Sequence, residues 1–182
     1  KDLKNIEKVR TEVGMVFQAG ALFDASKEDG RVALNAALKP TSKWVKAVLE
    51  AETDYLDGIR KVHPKAKGIV KCKDQSHARA IVTQLKKLTG DGVLLAISQV
   101  ADAEVQIANF RENDARWLVV VGMGGEGLSI PEIVSCVWLT NIRQHLSFEQ
   151  FLFRCATPYE GIRGRVALPA VPELVELARG LE

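Results

Sequence analysis

The feature that most constrains this chain is the pattern after Pro64, where short apolar runs alternate with stretches of helical periodicity. Gly68-Ile69-Val70-Lys71-Cys72, Val93–Ile97, Trp117-Leu118-Val119-Val120-Val121, Ile133–Leu139 and Arg165–Leu168 have the length and β-branched character of buried strands. The intervening stretches carry helical faces: Ala78, Ile81, Val82, Leu85 and Leu88 after a cap at Ser76, then Ala101–Phe110 and Ser147–Cys155. Val171, Leu174, Val175, Ala178 and Leu181 form a closing helix. Strands that are apolar on both sides need cover on both sides, and crossover helices supply it. The expected fold is therefore α/β, a three-layer domain with a mostly parallel sheet of about five strands.

Upstream of Pro64 the signal is simpler. Thr41 or Ser42 can cap a long helix in which Trp44, Val45, Val48, Leu49, Glu52, Tyr55, Leu56 and Ile59 follow the 3.6-residue period, and His63-Pro64 ends it. Leu3, Ile6, Val9 and Val13 space a short amphipathic helix, and Gly14, Gly20 and Gly30 mark residues 15–31 as loop. The expected division is a helical or irregular extension over 1–40 and one main domain over 41–182.

Composition bounds the function. At 182 residues and 47% hydrophobic side chains, the chain has material for one real core and is not disordered. The net charge of +2 does not announce a polyanion binder, so a nucleic-acid surface must come from local clustering. Three cysteines without CxxC spacing argue against a disulfide framework or zinc knuckle and favour a reducing compartment. Cys72 and Cys136, inside strands, read as core thiols. His63, His77 and His145 lack companions at metal-ligand spacing, so no metal site is expected. Trp44, Trp117 and Trp138 lie on apolar faces and read as core. No run approaches the roughly 20 apolar residues of a membrane span, and Lys1-Asp2-Leu3-Lys4 does not resemble a secretion signal. A cytoplasmic protein is expected.

The strand ending at Val121 runs directly into Gly122-Met123-Gly124-Gly125-Glu126-Gly127. Taken literally this is the G-x-G-x-x-G of dinucleotide-binding domains. Its context differs: Pro131 leaves no room for the crossover helix, and the acid expected near the end of the next strand is replaced by Leu139-Thr140-Asn141. A flexible turn is a second interpretation.

A third arises from the wider neighbourhood. Strand, glycine-rich turn, Glu126-Gly127-Leu128-Ser129-Ile130-Pro131 and strand resemble motif V of superfamily 2 helicases. Gly68–Lys73 followed by His77-Ala78 looks like motif IV. Ile97-Ser98-Gln99 through Asn109-Phe110-Arg111-Glu112-Asn113 is similar to the segment that precedes motif V. Phe148–Arg154 sits where motif VI (QxxGRxxR) belongs. Order and spacing agree over about Lys67–Leu181, with the likeness strongest to bacterial and phage DEAD/DEAH-type helicases.

The resemblance implies a RecA-like C-terminal helicase lobe of the P-loop NTPase fold. No G-x-x-x-x-G-K-[ST] or D-E-x-[DH] run is present, so ATP with Mg²⁺ would be held mainly by an N-terminal RecA-like lobe. The family role carries onto Arg154 as the cation at the γ-phosphate, with Gln150 orienting phosphate or water. Glu126, Gly127 and Ser129 would shape the turn over the nucleotide. Ser98, Gln99, Gly122, Met123, Gly124, Lys71 and Lys73 would contact a nucleic-acid strand, DNA rather than RNA. Glu126, Gln150 and Arg154 are expected to share a rim at the carboxyl ends of the strands. Four departures stand out: Phe153 for the motif VI glycine, Thr157 for its last arginine, Ser129 for the motif V aspartate and Val105 for an upstream arginine. They imply weakened hydrolysis, or a segment missing near Cys155–Tyr159, with Arg163 and Arg165 just beyond. A non-catalytic nucleic-acid or protein-binding scaffold and a dinucleotide-binding Rossmann enzyme remain the alternative functions.

Overall fold

The computed structural model describes residues 13–17, 28–98, 101–122, 130–142, 144–155, 159–162, 164–170 and 172–179. The elements, in chain order, are β1 (Val13–Phe17), α1 (Glu28–Ala37), α2 (Lys43–Arg60), β2 (Lys67–Cys72), α3 (Gln75–Thr89), β3 (Val93–Ile97), α4 (Ala103–Glu112), β4 (Trp117–Val121), β5 (Ile133–Leu139), α5 (His145–Cys155), β6 (Gly164–Leu168) and α6 (Pro172–Arg179). The strands form one sheet in the order β1-β6-β5-β2-β4-β3, and all five neighbouring pairs are parallel.

All five expected strands are present, and β1 adds a sixth at the edge. The residues read as loop over 15–31 thus include the end of a strand and the start of a helix. β1 pairs along its whole length with β6, and Leu34 and Leu38 of the α1 region are buried in the core. The described part of residues 1–40 is therefore built into the same sheet and core. A glycine-punctuated edge strand has no strong alternation of its own, so its partner β6 defines it. The helical spacing of Leu3–Val9 lies outside the described residues.

Register fixes which face each residue takes. Ser135 on β5 donates its hydroxyl to Glu52 of α2 at 2.9 Å, whereas Trp138, three residues on, meets Phe148 and Phe151 of α5 edge-on. An odd spacing in a strand reverses the face, so α2 covers one side of the sheet and α5 the other. Lys67 lies on the α5 side, with its ammonium 4.8 Å from the Phe110 ring of α4 and bonded to the Asn113 carbonyl at 2.6 Å.

The α2 side contains a buried ion pair. Glu52 is fully buried; one carboxylate oxygen accepts from Ser135, and the other lies 2.8 Å from Arg165 Nε on β6. The Arg165 guanidinium lies 4.9 Å from the Tyr55 ring. Burial pushes the Glu52 carboxyl above its usual range, opposed by the Arg165 cation and the Ser135 hydroxyl. Glu52 fell on the apolar face of α2 in the sequence because it belongs to the core.

Capping also refines the helices. Ser42 caps α2 by accepting from Val45 N at 3.0 Å. For α3 the cap is Asp74, which accepts from His77 N at 2.7 Å, so the helix begins before the expected Ser76. Asp and Ser cap helices about equally well, and here Asp74 is the one whose side chain accepts the free N–H of the first turn. Buried His77 presents Nε2 to the Leu38 carbonyl at 2.7 Å, and burial holds its pKa below the usual value. Cys72 is a buried free thiol as expected, whereas Cys136 is disulfide-bonded, which corrects its assignment as a free core thiol.

The tightest packing is at the sheet centre. Gly68 of β2 lies opposite Trp117 of β4, and a Cβ added at Gly68 would come within 2.3 Å of the indole ring. Trp117 is itself fully buried and cannot swing away. Gly68→Ala is therefore expected to lower the unfolding free energy by about 1–3 kcal/mol through overpacking, measured by urea denaturation. An unchanged midpoint would contradict this packing.

Candidate functional site

Parallel pairing puts the ends of the central strands on one level. Cys72 is in register with Val121 and with Leu139, and Ile97 with Val121. The next residue of each strand, Lys73, Ser98, Gly122 and Thr140, therefore lines one rim along the carboxyl edge of the sheet. From β2 the chain crosses towards β3 at one edge, and from β5 it crosses the other way to β6. The β2/β5 boundary is thus the topological switch point, where open α/β sheets form a crevice.

Two of the residues singled out from sequence meet at this rim. Ser98 N donates to the Val121 carbonyl at 3.1 Å. Gly122 has φ +69° and is exposed, and a Cβ there would lie 2.4 Å from Ser98 Oγ. Glycine is needed at this turn for both reasons: the left-handed backbone is costly for other residues, and the serine hydroxyl occupies the space of a side chain. Lys73 joins the rim from β2. It is exposed, and its ammonium lies 3.7 Å from the Asp74 carboxylate that caps α3. The exposed residues Gln75 and Ser76 open α3 beside it.

Lys71 does not join them. Its side chain is 6% exposed, and the in-register partners Val120 and Trp138 put it on the α5 side of the sheet. Burial lowers its pKa. Residues two apart share one face of a strand, so it is the end of β2 that makes the two lysines differ: the first lies inside the strand and the second lies past its end.

Sequence reasoning did not single out the end of β5. Thr140 is fully buried and its Oγ1 accepts from Ile142 N at 3.3 Å, turning the chain towards α5 and leaving Asn141 exposed at the rim. The topological switch point identifies this turn, but strand order cannot be read from periodicity.

α5 leaves the rim and runs towards the start of β6. Gln150 is its sixth residue, half-buried, and lies about 8 Å along the axis from the helix start. The expectation of one rim shared by Glu126, Gln150 and Arg154 rests on Glu126 and the Arg154 side chain, which lie outside the described residues. The Arg154 backbone continues the same helix into its last turn. Leu146 and Phe153 of α5 are exposed, while Phe148, Phe151 and Leu152 are buried. Gln99, Met123, Gly124, Glu126, Gly127 and Ser129 lie outside the described residues. The chain leaves β4 at the carboxyl rim at Gly122 and re-enters the described residues at Ile130, whose carbonyl accepts from Ile133 N at the opposite edge. Among the described residues no helix is long and apolar enough to cross a membrane.

No protein-family model matches the chain. In sequence it is 31% identical over 158 residues to the uncharacterized protein ML1624 of Mycobacterium leprae (strain TN), covering 86% of this chain and 26% of that protein. It is 30% identical over 174 residues to the uncharacterized protein Rv2917 of Mycobacterium tuberculosis (strain ATCC 25618 / H37Rv), covering 95% and 29%. The chain thus spans under a third of the length of these curated relatives.

Solved structures share its fold. A fragment assigned to the HsdR subunit of a type I restriction enzyme from Vibrio vulnificus YJ016 superposes with TM-score 0.65 and 18% identity, over 92% of this chain and 33% of that one. Domain 2 of the DEAD-box helicase Mss116p, bound to an RNA duplex, gives 0.56 and 15%, over 75% and 55%. The C-terminal domain of the DEAD-box protein Dbp5 gives 0.51 and 16%, over 70% and 76%. The chain shares the parallel α/β fold of these helicase domains.

The Ser98–Gly122 contact has a direct check. Gly122→Ala is expected to cost about 1–2 kcal/mol from its left-handed backbone, with a further part from Ser98. In a double-mutant cycle with Ser98→Gly, a coupling of about 0.5 kcal/mol or more is expected by urea denaturation. Strict additivity would contradict the contact.

Proposed function

We propose that this chain is the C-terminal motor lobe of an ATP-dependent superfamily 2 helicase or translocase. Its RecA-like fold is the premise, and the observation that carries the proposal is the rim itself. Parallel register brings exposed Lys73, Ser98 and Gly122 to one line at the carboxyl edge, next to the switch point. A lysine, a hydroxyl and a glycine turn open to close approach suit the phosphate backbone of a strand, and they bind without reading bases. Gln99, Met123 and Gly124 would extend this role.

The nucleotide role falls to residues of α5 and of the sequence that follows Gly122. Arg154, in the last turn of α5, is the cation that would reach the γ-phosphate of ATP in a closed clamp. Gln150, one turn earlier on that helix, would orient phosphate or water. Glu126, Gly127 and Ser129 would shape the wall over the nucleotide. Mg²⁺ and most of the triphosphate contacts belong to an N-terminal RecA-like lobe, because this chain carries neither phosphate-loop nor acid-pair motif. ATP hydrolysis is then a property of the two lobes together, and this chain alone turns over no ATP. Lys71, inside the sheet, supports the rim from below and does not grip the strand.

DNA is the favoured strand, and the RNA duplex on the Mss116p domain makes RNA the necessary comparison. Phe153, Thr157 and Ser129 support a second proposal, a scaffold lobe that binds nucleic acid or protein without turnover.

The test is Arg154→Ala in the full-length protein. Nucleic-acid-stimulated ATP turnover is expected to fall by about 10³-fold or more, the scale of an arginine finger, with strand binding retained. Unchanged turnover would reject Arg154 as the finger. A wild-type protein that binds nucleic acid and never turns over ATP would leave the scaffold function.

A further inference from the structure

On the α2 side of the sheet, away from the rim, α2 and α3 cross over a groove of about 360 Å³. Leu88 forms a half-open apolar wall above the fully buried Leu49, and Lys46 and Lys87 flank it, with Thr41, Glu50 and Gln84 completing the lining. Gln84 is held in place by donating its amide to the Pro40 carbonyl. Leu88 is twelve residues beyond Ser76 on α3, about 18 Å along the helix axis. The groove is therefore distinct from the rim at the start of α3.

The charge around it is one-sided. Residues 39–50 and 75–90 hold Lys39, Lys43, Lys46, Arg79, Lys86 and Lys87 against Glu50 alone, a net +5 in a chain whose total is +2. All six cations are exposed, and none forms an ion pair with another described residue. Clustered like charges repel, and an anionic partner relieves that repulsion while gaining a faster encounter.

Two features choose among anions. A phosphate backbone gains nothing from the exposed Leu88 wall, whereas an apolar side chain gains by leaving water for it. Glu50 in the lining penalises an unbroken row of phosphates and tolerates a peptide whose carboxylates are spaced. We propose that this groove docks an acidic segment of a protein partner, seating a leucine-type side chain against Leu88 with carboxylates on Lys46 and Lys87. The contact area is small, so binding is weak and weakens further with salt. The inference does not depend on the motor function of the rim.

The probe is a fluorescein-labelled oligo-glutamate peptide carrying two leucines one helical turn apart, titrated with the chain by fluorescence anisotropy at low salt. Replacing both leucines with serine, Lys46→Glu together with Lys87→Glu, and Leu88→Asp are each expected to weaken binding about tenfold. Far-UV circular dichroism confirms folding; should the double charge reversal unfold, Lys87→Ala and Leu88→Ser replace it. Equal binding of the leucine and serine peptides would overturn the proposal. So would a DNA duplex whose binding is lost with the lysines yet indifferent to Leu88→Asp, which would mark a polyanion surface.

Discussion

Everything at the candidate site depends on the register of β2 between β4 and β5. A slip of one residue would turn every side chain to the opposite face, moving Lys71 to the α2 side and breaking the level at which Cys72, Val121, Ile97 and Leu139 end. The Gly68–Trp117 contact resists such a slip, because no other described residue of β2 is a glycine that could lie under the indole. Strand register is thus converted into a row of exposed functional groups.

A second constraint joins the layers. Glu52, Ser135 and Arg165 connect α2, β5 and β6 across the core face. A buried ion pair seldom adds much net stability, since desolvation consumes most of the attraction, yet removing one partner leaves the other charge costly. Its consequence is positional: α2 is held over β5, whose far end turns at Thr140 into the rim. The five exposed cations Lys43, Lys46, Arg79, Lys86 and Lys87 of α2 and α3, with Lys39 in the turn before α2, lie on the outside of this layer, away from the ion pair.

Much of this was legible in the sequence because period and length are local properties. The five apolar runs became strands, Ser42 capped α2, and Trp117 and Trp138 became core. β1 was missed because an edge strand is defined by its partner and not by its own pattern. Lys71 and Lys73 look alike in a string of letters, and only the end point of β2 separates a buried lysine from a rim lysine. Ser98 and Gly122 were named for their turns, while their contact with each other needed the β3–β4 register. Motif order puts Gln150 on the helix after β5 but carries no information about its distance from the strand ends.

The central claim is that the carboxyl rim grips a nucleic-acid backbone. Amide chemical-shift mapping of the chain with a single-stranded oligonucleotide tests it most directly. The account predicts that shifts cluster at Lys73, Gln75, Ser98, Gly122 and Asn141 and diminish with salt. Shifts confined to the lysine-rich face of α2 and α3, or absent altogether, would contradict it.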